Sequence, residues 1–432
     1  PKACGYPRGM RICLISQEYP PETAWGGVGT QTWVKARALA RLGHDVHVLA
    51  CSAWEQQGIR TEVCDGVTVH RIQPPGHDFP VFGKPLWMLG WTWLVVQTLD
   101  ELMDRHRFDV LDFPEFGGEG FGYQIDRTRW NWAAVVVQVH GPMAMFIETM
   151  QWPQPASRLR ELGTFMEGFS LRHADAIMAS GSGVADLVAH TYGIPREKID
   201  VVHCGVDTGM FFPALAPGAL ATRPTVLFIG KMVKNKGPLV MAEAVLALRQ
   251  KYPDIHAIFI GEGLDIPNMI RERFAEEEAL DNLDVLGFVD LDQLPDFYRR
   301  AHAFVAPAEY EGFGAVYIEA QACGCPVIAS TSGGGSEAVV DGVTGFLIPY
   351  DDIAAATDRL GRLLGDPALR RRMSEAGVRR VRETFAMDRY IEKVVAVYEK
   401  AVAFSTGLDD EDKDHTDWES PHLPGKHRRE DW

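Results

Sequence analysis

Short, nearly continuous apolar runs alternate with helix-period segments along most of this chain, and that alternation breaks only once. Runs over 11–16, 45–51, 108–113, 133–140, 174–180 and 199–203 read as strands, and 63–72, turning at Asp65-Gly66, reads as a hairpin. Trp33, Val34, Ala38 and Leu42 fall on one stripe of a helix expected over 31–42. Strands that are apolar on both faces need helices on both faces, which predicts a parallel sheet. The rhythm stops at 207–224, where Pro213, Pro217, Gly218 and Pro224 stand without periodicity, as a linker does. It resumes with strands over 225–230, 255–261, 283–289, 303–307 and 326–330, and helices over 238–251, 266–280 and 314–323. Two Rossmann-like α/β domains are therefore expected, at 10–206 and 225–386. An extension over 1–9 precedes them. A helix over 387–404 returns to complete the first domain, and a polar tail at 405–432 follows.

The chain has 432 residues, more than one core usually serves. Its 43 basic residues against 59 acids leave a net charge of −16, which makes nucleic acid and anionic membrane surfaces poor partners. Residues 406–432 hold nine acids and four bases, so five of those negative units lie at the end. Seven cysteines without paired spacing read as free thiols, and a cytoplasmic location is expected. The longest apolar run, 85–96, falls short of the roughly 20 residues that span a bilayer.

Chemistry concentrates at the ends of the expected strands. Residues 309–325 read Glu-Tyr-Glu-Gly-Phe-Gly-Ala-Val-Tyr-Ile-Glu-Ala-Gln-Ala-Cys-Gly-Cys, a loop with close-approach glycines that opens a helix near Phe313. Glu311 falls in the loop and Glu319 inside the helix. The free amides at the helix start suit an anion. In 230–238, Lys231, Lys234 and Lys236 crowd a turn before Pro238, a good first helical residue, so ammonium groups meet a helix N-terminus where phosphates bind. Trp25-Gly26-Gly27-Val28-Gly29 follows the first strand, and His140 ends another. Gly333-Gly334-Gly335-Ser336-Glu337 forms a further loop at the same edge. Asp290-Leu291-Asp292 precedes a helical pattern and reads as capping. No cluster has metal-ligand spacing, so no metal and no cofactor is expected.

Taken in this order, these residues resemble the retaining glycosyltransferases of family four, which have the two-domain GT-B fold. The resemblance runs from about Met10 to Phe404. Its specific part is Glu311-Gly312-Phe313-Gly314 followed by Glu319, a Glu-x7-Glu pattern, with Gly334 to Gly345 beyond it. It implies two Rossmann-like domains facing across a cleft and a nucleotide-sugar donor, UDP-linked first and GDP-linked second. The acceptor would be a small molecule, glycan or lipid-linked hydroxyl. Lys231 and Lys236 would contact the pyrophosphate, Glu319 the ribose, and the backbone of Gly287 and Phe288 the base. Glu311 with the amides of Phe313, Gly314 and Ala315 would hold the transferred hexose. Gly26 and Gly27 would approach across the cleft, and His140 would lie beside the sugar. The resemblance implies a leaving group stabilised by charge without a metal. Lysine at 231 replaces the family's usual arginine, keeping the charge without the bidentate fork. His203-Cys204 stands where the family commonly has Pro-Asn.

Other readings fit less of the chain. A glycoside hydrolase using Glu311 and Glu319 would need carboxyls far closer than the roughly 12 Å of eight largely helical residues. A dehydrogenase lacks its glycine fingerprint, and a silent sugar-nucleotide-binding protein would be expected to have lost Glu311 or a lysine. Nine of eleven tryptophans precede residue 153. Trp25, Trp87 and Trp91 are expected to line an acceptor cleft or to pack the core.

Overall fold

The computed structural model describes residues 9–23, 26–74, 80–81, 84–85, 87–128, 132–155, 157–214 and 220–411. The first domain comprises β1 (Arg11–Ile15), α1 (Gly27–Arg41), β2 (Asp45–Cys51), β3 (Arg60–Cys64), β4 (Val67–Ile72) and a small ribbon, β5 (Pro80–Val81) with β6 (Lys84–Pro85). It continues through α2 (Trp87–His106), β7 (Val110–Pro114), α3 (Phe121–Asp126), β8 (Ala134–Val139), α4 (Met143–Met150), α5 (Arg158–Arg172), β9 (Ala176–Ala179), α6 (Ser182–Tyr192) and β10 (Ile199–Val201). Its main sheet runs β10-β9-β8-β7-β1-β2-β4-β3, parallel except for β3, which pairs antiparallel with β4 across the positive-φ turn at Asp65-Gly66.

The second domain comprises β11 (Thr225–Ile229), α7 (Pro238–Leu248), β12 (His256–Ile260), α8 (Ile266–Glu276), β13 (Leu283–Leu286), α9 (Leu294–Arg300), β14 (Ala303–Ala306), α10 (Ala315–Ala322), β15 (Val327–Ser330), α11 (Gly335–Ala338), β16 (Gly345–Ile348), α12 (Ile353–Gly365) and α13 (Pro367–Arg380). Its sheet is wholly parallel in the order β13-β12-β11-β14-β15-β16. The edge strand β16 escapes sequence reading because four residues beside a glycine-rich loop carry too little pattern. A last helix, α14 (Met387–Glu411), runs seven residues beyond the expected end at 404.

Burial explains the layering. Alternate residues of β2 split between faces: Val46, Val48 and Ala50 pack with α1 and α14, whereas Leu49 and Cys51 pack with α2. Tyr390, Ile391, Val394 and Tyr398 put one face of α14 into the first domain's core, although it follows the second domain in sequence. The crossing is pinned where Val206 and Ala386 form a bridge, with Val206 N donating to Phe385 O at 2.9 Å and Met387 N to Val206 O at 3.0 Å. The described cysteines are all unpaired. Among the described residues, no helix is long and apolar enough to cross a membrane.

Candidate active site

In the second sheet the strand order reverses between β11 and β14, and ligands of open α/β sheets bind beyond the carboxyl ends of strands at such a point. The loop after β11 carries the lysines and the loop after β14 carries Glu311. Lys236 Nζ donates to Glu311 Oε2 at 2.6 Å, with both side chains about a quarter exposed. Backbone contacts hold the pair. Glu309 N donates to Asn235 O at 2.8 Å, joining the two loops. Gly237 has φ 77°, and a Cβ there would stand 2.6 Å from Pro307 O. Gly334 N donates to Glu311 O at 2.7 Å, so the triple-glycine loop braces the glutamate loop from behind. Lys231 is exposed at the mouth of the same turn.

Gly314, at φ 80°, starts α10 at Ala315. Phe313 is buried, its ring 4.9 Å from that of His203 and 5.3 Å from that of Phe385. Glu319 lies on the buried face of α10, where its Oε2 accepts from Tyr298 Oη at 3.0 Å and burial pushes its carboxyl up to about 7. The same residue lines a cavity between the domains, with Gln31 and Val34 of α1, Asp207 and Leu291. The two glutamates therefore have separate partners: Glu311 a lysine, Glu319 a phenol. Gly287 has open space where a side chain would stand, and Phe288 beside it is exposed.

In the first sheet the order reverses between β1 and β7. Gly27 opens α1 and is unobstructed. The helix start is not free, however: the amides of Gly29 and Gly26 face the carboxylate of Glu18. A Cβ on Gly29 would come within 2.6 Å of Glu18 Cβ, so glycine is what lets this glutamate in. Burial raises the Glu18 carboxyl, opposed by those amides and by Lys231 across the cleft.

His140, at the end of β8, is held by its backbone. Glu115, just beyond β7, accepts from His140 N at 3.0 Å and Gly141 N at 2.6 Å through Oε1. Burial pushes Glu115 up to about 7 and the His140 imidazole down to about 3, so His140 is neutral at physiological pH. It meets the glutamate loop directly, since a Cβ on Gly312 would stand 2.0 Å from His140 O. Backbone from the two domains thus touches beside Glu311.

Glu337 crosses the same boundary. Its carboxylate accepts from Ser182 N at 3.0 Å and Gly183 N at 3.3 Å, the first amides of α6, and from Ser182 Oγ at 3.0 Å. His203 Nε2 lies 2.7 Å from Oε2. Despite the cost of burial, these partners hold the carboxyl down to about 2.

The acceptor expectation needs correction at Trp91. It is 1% exposed, and its Nε1 donates to Glu119 Oε2 at 2.9 Å, so it is a core residue with no open face. Trp87 is half-buried against the Met88, Met143 and Met166 cluster. Trp25 lies outside the described residues. Sequence reading passed over Phe116, Phe146 and Trp152. The Trp152 ring stacks on Phe116 at 6.3 Å, and Phe146 meets both edge-on beyond β7 and β8. It also passed over Glu18, Glu115 and the bridging role of Glu337, because carboxylates in loops carry no local signature of what they will face.

Comparison with known proteins bears on this geometry. Residues 25–209 match the family model described as Glycosyltransferase Family 4, and residues 216–380 match Glycosyl transferases group 1. The D-inositol 3-phosphate glycosyltransferase of Pseudarthrobacter chlorophenolicus is 29% identical over 398 residues, covering 87% of this chain and 91% of its own. The glycogen synthase of Mycobacterium tuberculosis is 28% identical over 389 residues, with the same shares. Among solved structures, the sucrose-phosphate synthase of Thermosynechococcus elongatus superposes with a TM-score of 0.74 at 22% identity, over 91% of this chain and 99% of that one. Anabaena HepE in complex with UDP and glucose gives 0.69 at 17%, over 90% and 98%. At such identities the structures speak to the fold.

Proposed function

The chain belongs to the family-four glycosyltransferases, with the GT-B fold, and from that premise we propose that it moves a hexosyl group from a nucleotide-diphosphate sugar to a hydroxyl acceptor with retention of configuration. A UDP-sugar is the favoured donor and a GDP-sugar the second. The observation that carries this reading is the Lys236–Glu311 pair at the strand-order reversal, with Lys231 beside it. Two ammonium groups at the end of a parallel sheet suit a diphosphate. The neighbouring carboxylate suits sugar hydroxyls, and Glu319 in the interdomain cavity suits the ribose.

In the proposed reaction, the bond between the anomeric carbon and the phosphate oxygen breaks and its electron pair leaves with the diphosphate. The acceptor oxygen bonds to the anomeric carbon, and its proton passes to the departing phosphate. Lys231 and Lys236 face oxygens that gain charge in that step, so their attraction is greatest in the transition state. Neutral His140 accepts or donates one hydrogen bond without adding a cation next to an oxocarbenium-like centre. The backbone meeting of Gly312 with His140 closes the sugar pocket against water. A hydrolase reading is disfavoured because Glu311 and Glu319 are engaged by different partners and do not face one another as a pair.

The test is transfer itself. The chain is supplied with UDP- and GDP-hexoses and candidate acceptors, and NMR reads the anomeric configuration of the product. Retained configuration, at a rate unchanged by EDTA, is expected. Inverted product, or loss with EDTA that manganese restores, would overturn the retaining, metal-independent assignment.

A further inference from the structure

Far from that cleft, three histidines converge. His47 on β2 and His70 on β4 face the α2 side of the first sheet and are 3% and 2% exposed. His106, partly exposed, ends α2 above them. One ring nitrogen from each lies within 4.8 Å of the other two. The ring centres are 5.1, 4.4 and 5.9 Å apart. Three imidazoles on one tetrahedral zinc at about 2.05 Å would put ring centres roughly 5.2 Å apart and nitrogens roughly 3.3 Å apart. The cluster needs only small side-chain shifts to reach that geometry.

The second nitrogens of the two buried rings are already engaged. His47 Nε2 lies 3.3 Å from Asp45 Oδ1, and His70 Nδ1 lies 3.0 Å from Thr61 Oγ1. That is the outer shell by which proteins orient histidine ligands. When both outer nitrogens donate, His47 Nδ1 and His70 Nε2 face each other as two lone pairs at 2.8 Å. Such an arrangement requires a proton or a cation between them. The closing turn of α2 adds the negative end of a 20-residue helix dipole. The nearby guanidiniums are occupied: Arg11 pairs with Asp45 and the His106 carbonyl, and Arg105 with Glu101.

We propose that His47, His70 and His106 bind one divalent cation of the zinc class, clamping the end of α2 to β2 and β4. Neutral imidazoles select zinc and its borderline neighbours over magnesium, calcium or manganese, which prefer oxygen. The site sits toward the start of β2, whereas the glycine loop and His140 lie past the opposite ends of the strands. The clamp is therefore structural and does not depend on the transfer reaction. His47 and His70 are 23 residues apart and meet only through the β2–β4 pairing, so no spacing motif announces them.

The test uses the full chain, stripped by chelator and titrated with zinc chloride by calorimetry, with cobalt as an optical probe. One zinc per chain, a zinc-dependent rise in Tm and cobalt bands of tetrahedral intensity are expected. His106→Gln should weaken zinc binding at least 100-fold and abolish the Tm response. Thr61→Val, on an exposed edge strand, should weaken binding about 10- to 100-fold while folding normally. Magnesium should produce no shift. Zinc affinity and stoichiometry unchanged in both variants would overturn the proposal, as would cobalt spectra of octahedral type.

Discussion

Lys236 and Glu311, 75 residues apart, meet at 2.6 Å where the second sheet reverses its strand order. Each side chain neutralises the other while a quarter of its surface stays open to the cleft. A ligand that brings its own phosphates and hydroxyls can replace this pair partner for partner, because the charges are already placed and need no reorganisation.

Loss of either charge should therefore cost transfer rather than folding. Lys236→Ala and Glu311→Ala should each lower kcat by about 10²- to 10³-fold, with circular dichroism unchanged. Near-wild-type turnover in either variant would remove that residue from the site.

The contact of Gly312 with the His140 carbonyl predicts a steric effect on closure. A Cβ at 312 would stand 2.0 Å from that oxygen, and no flexible side chain is there to yield. Gly312→Ala should hold the domains apart beside Glu311 and cut transfer by at least tenfold, with both domains folded. Small-angle scattering should report a larger radius of gyration; an unchanged radius and rate would refute the close approach.

Glu337 makes a pH prediction across the domain boundary. Its carboxyl falls from an ordinary 4.5 to about 2 in the folded chain, so its contribution is full above about pH 4.5 and is lost as pH drops toward 2. Glu337→Gln should lower stability near neutrality by about 1–3 kcal/mol and shrink that acid-side loss. Equal Tm values for the variant and the wild type at pH 7 would contradict a stabilising role for these contacts.

Four buried carboxyls act with the opposite sign. Burial raises Glu115 and Glu319 to about 7, and Glu119 and Glu167 to about 8. Each holds its proton more tightly folded than unfolded, so stability is full below about pH 4.5 and falls as pH rises through 7 to 8. Tm should decline over that window, and Glu119→Gln should flatten the decline. A Tm that rises from pH 7 to 8, above the range in which the buried histidines titrate, would contradict these environments.

What the amino-acid sequence disclosed depended on range. The strand Asp45–Cys51 and the turn at Asp65-Gly66 are written locally, in apolar runs and in a dipeptide that tolerates positive φ. Lys236 and Glu311 were legible because each follows a strand within a few residues, and the parallel sheet gathers such loops at one edge. Trp91 was ambiguous because an indole suits a core and a sugar platform equally; its burial and its hydrogen bond to Glu119 decide. Glu337 and the three histidines were illegible because their partners come from other strands or the other domain.

The most direct measurement is calorimetric titration of UDP into the wild type, Lys236→Ala and Glu311→Ala. If Lys236 grips the diphosphate and Glu311 the sugar, UDP affinity should fall at least tenfold in Lys236→Ala. It should hold or improve in Glu311→Ala, where the lysine is freed. Equal UDP affinity in the wild type and Lys236→Ala would contradict the account.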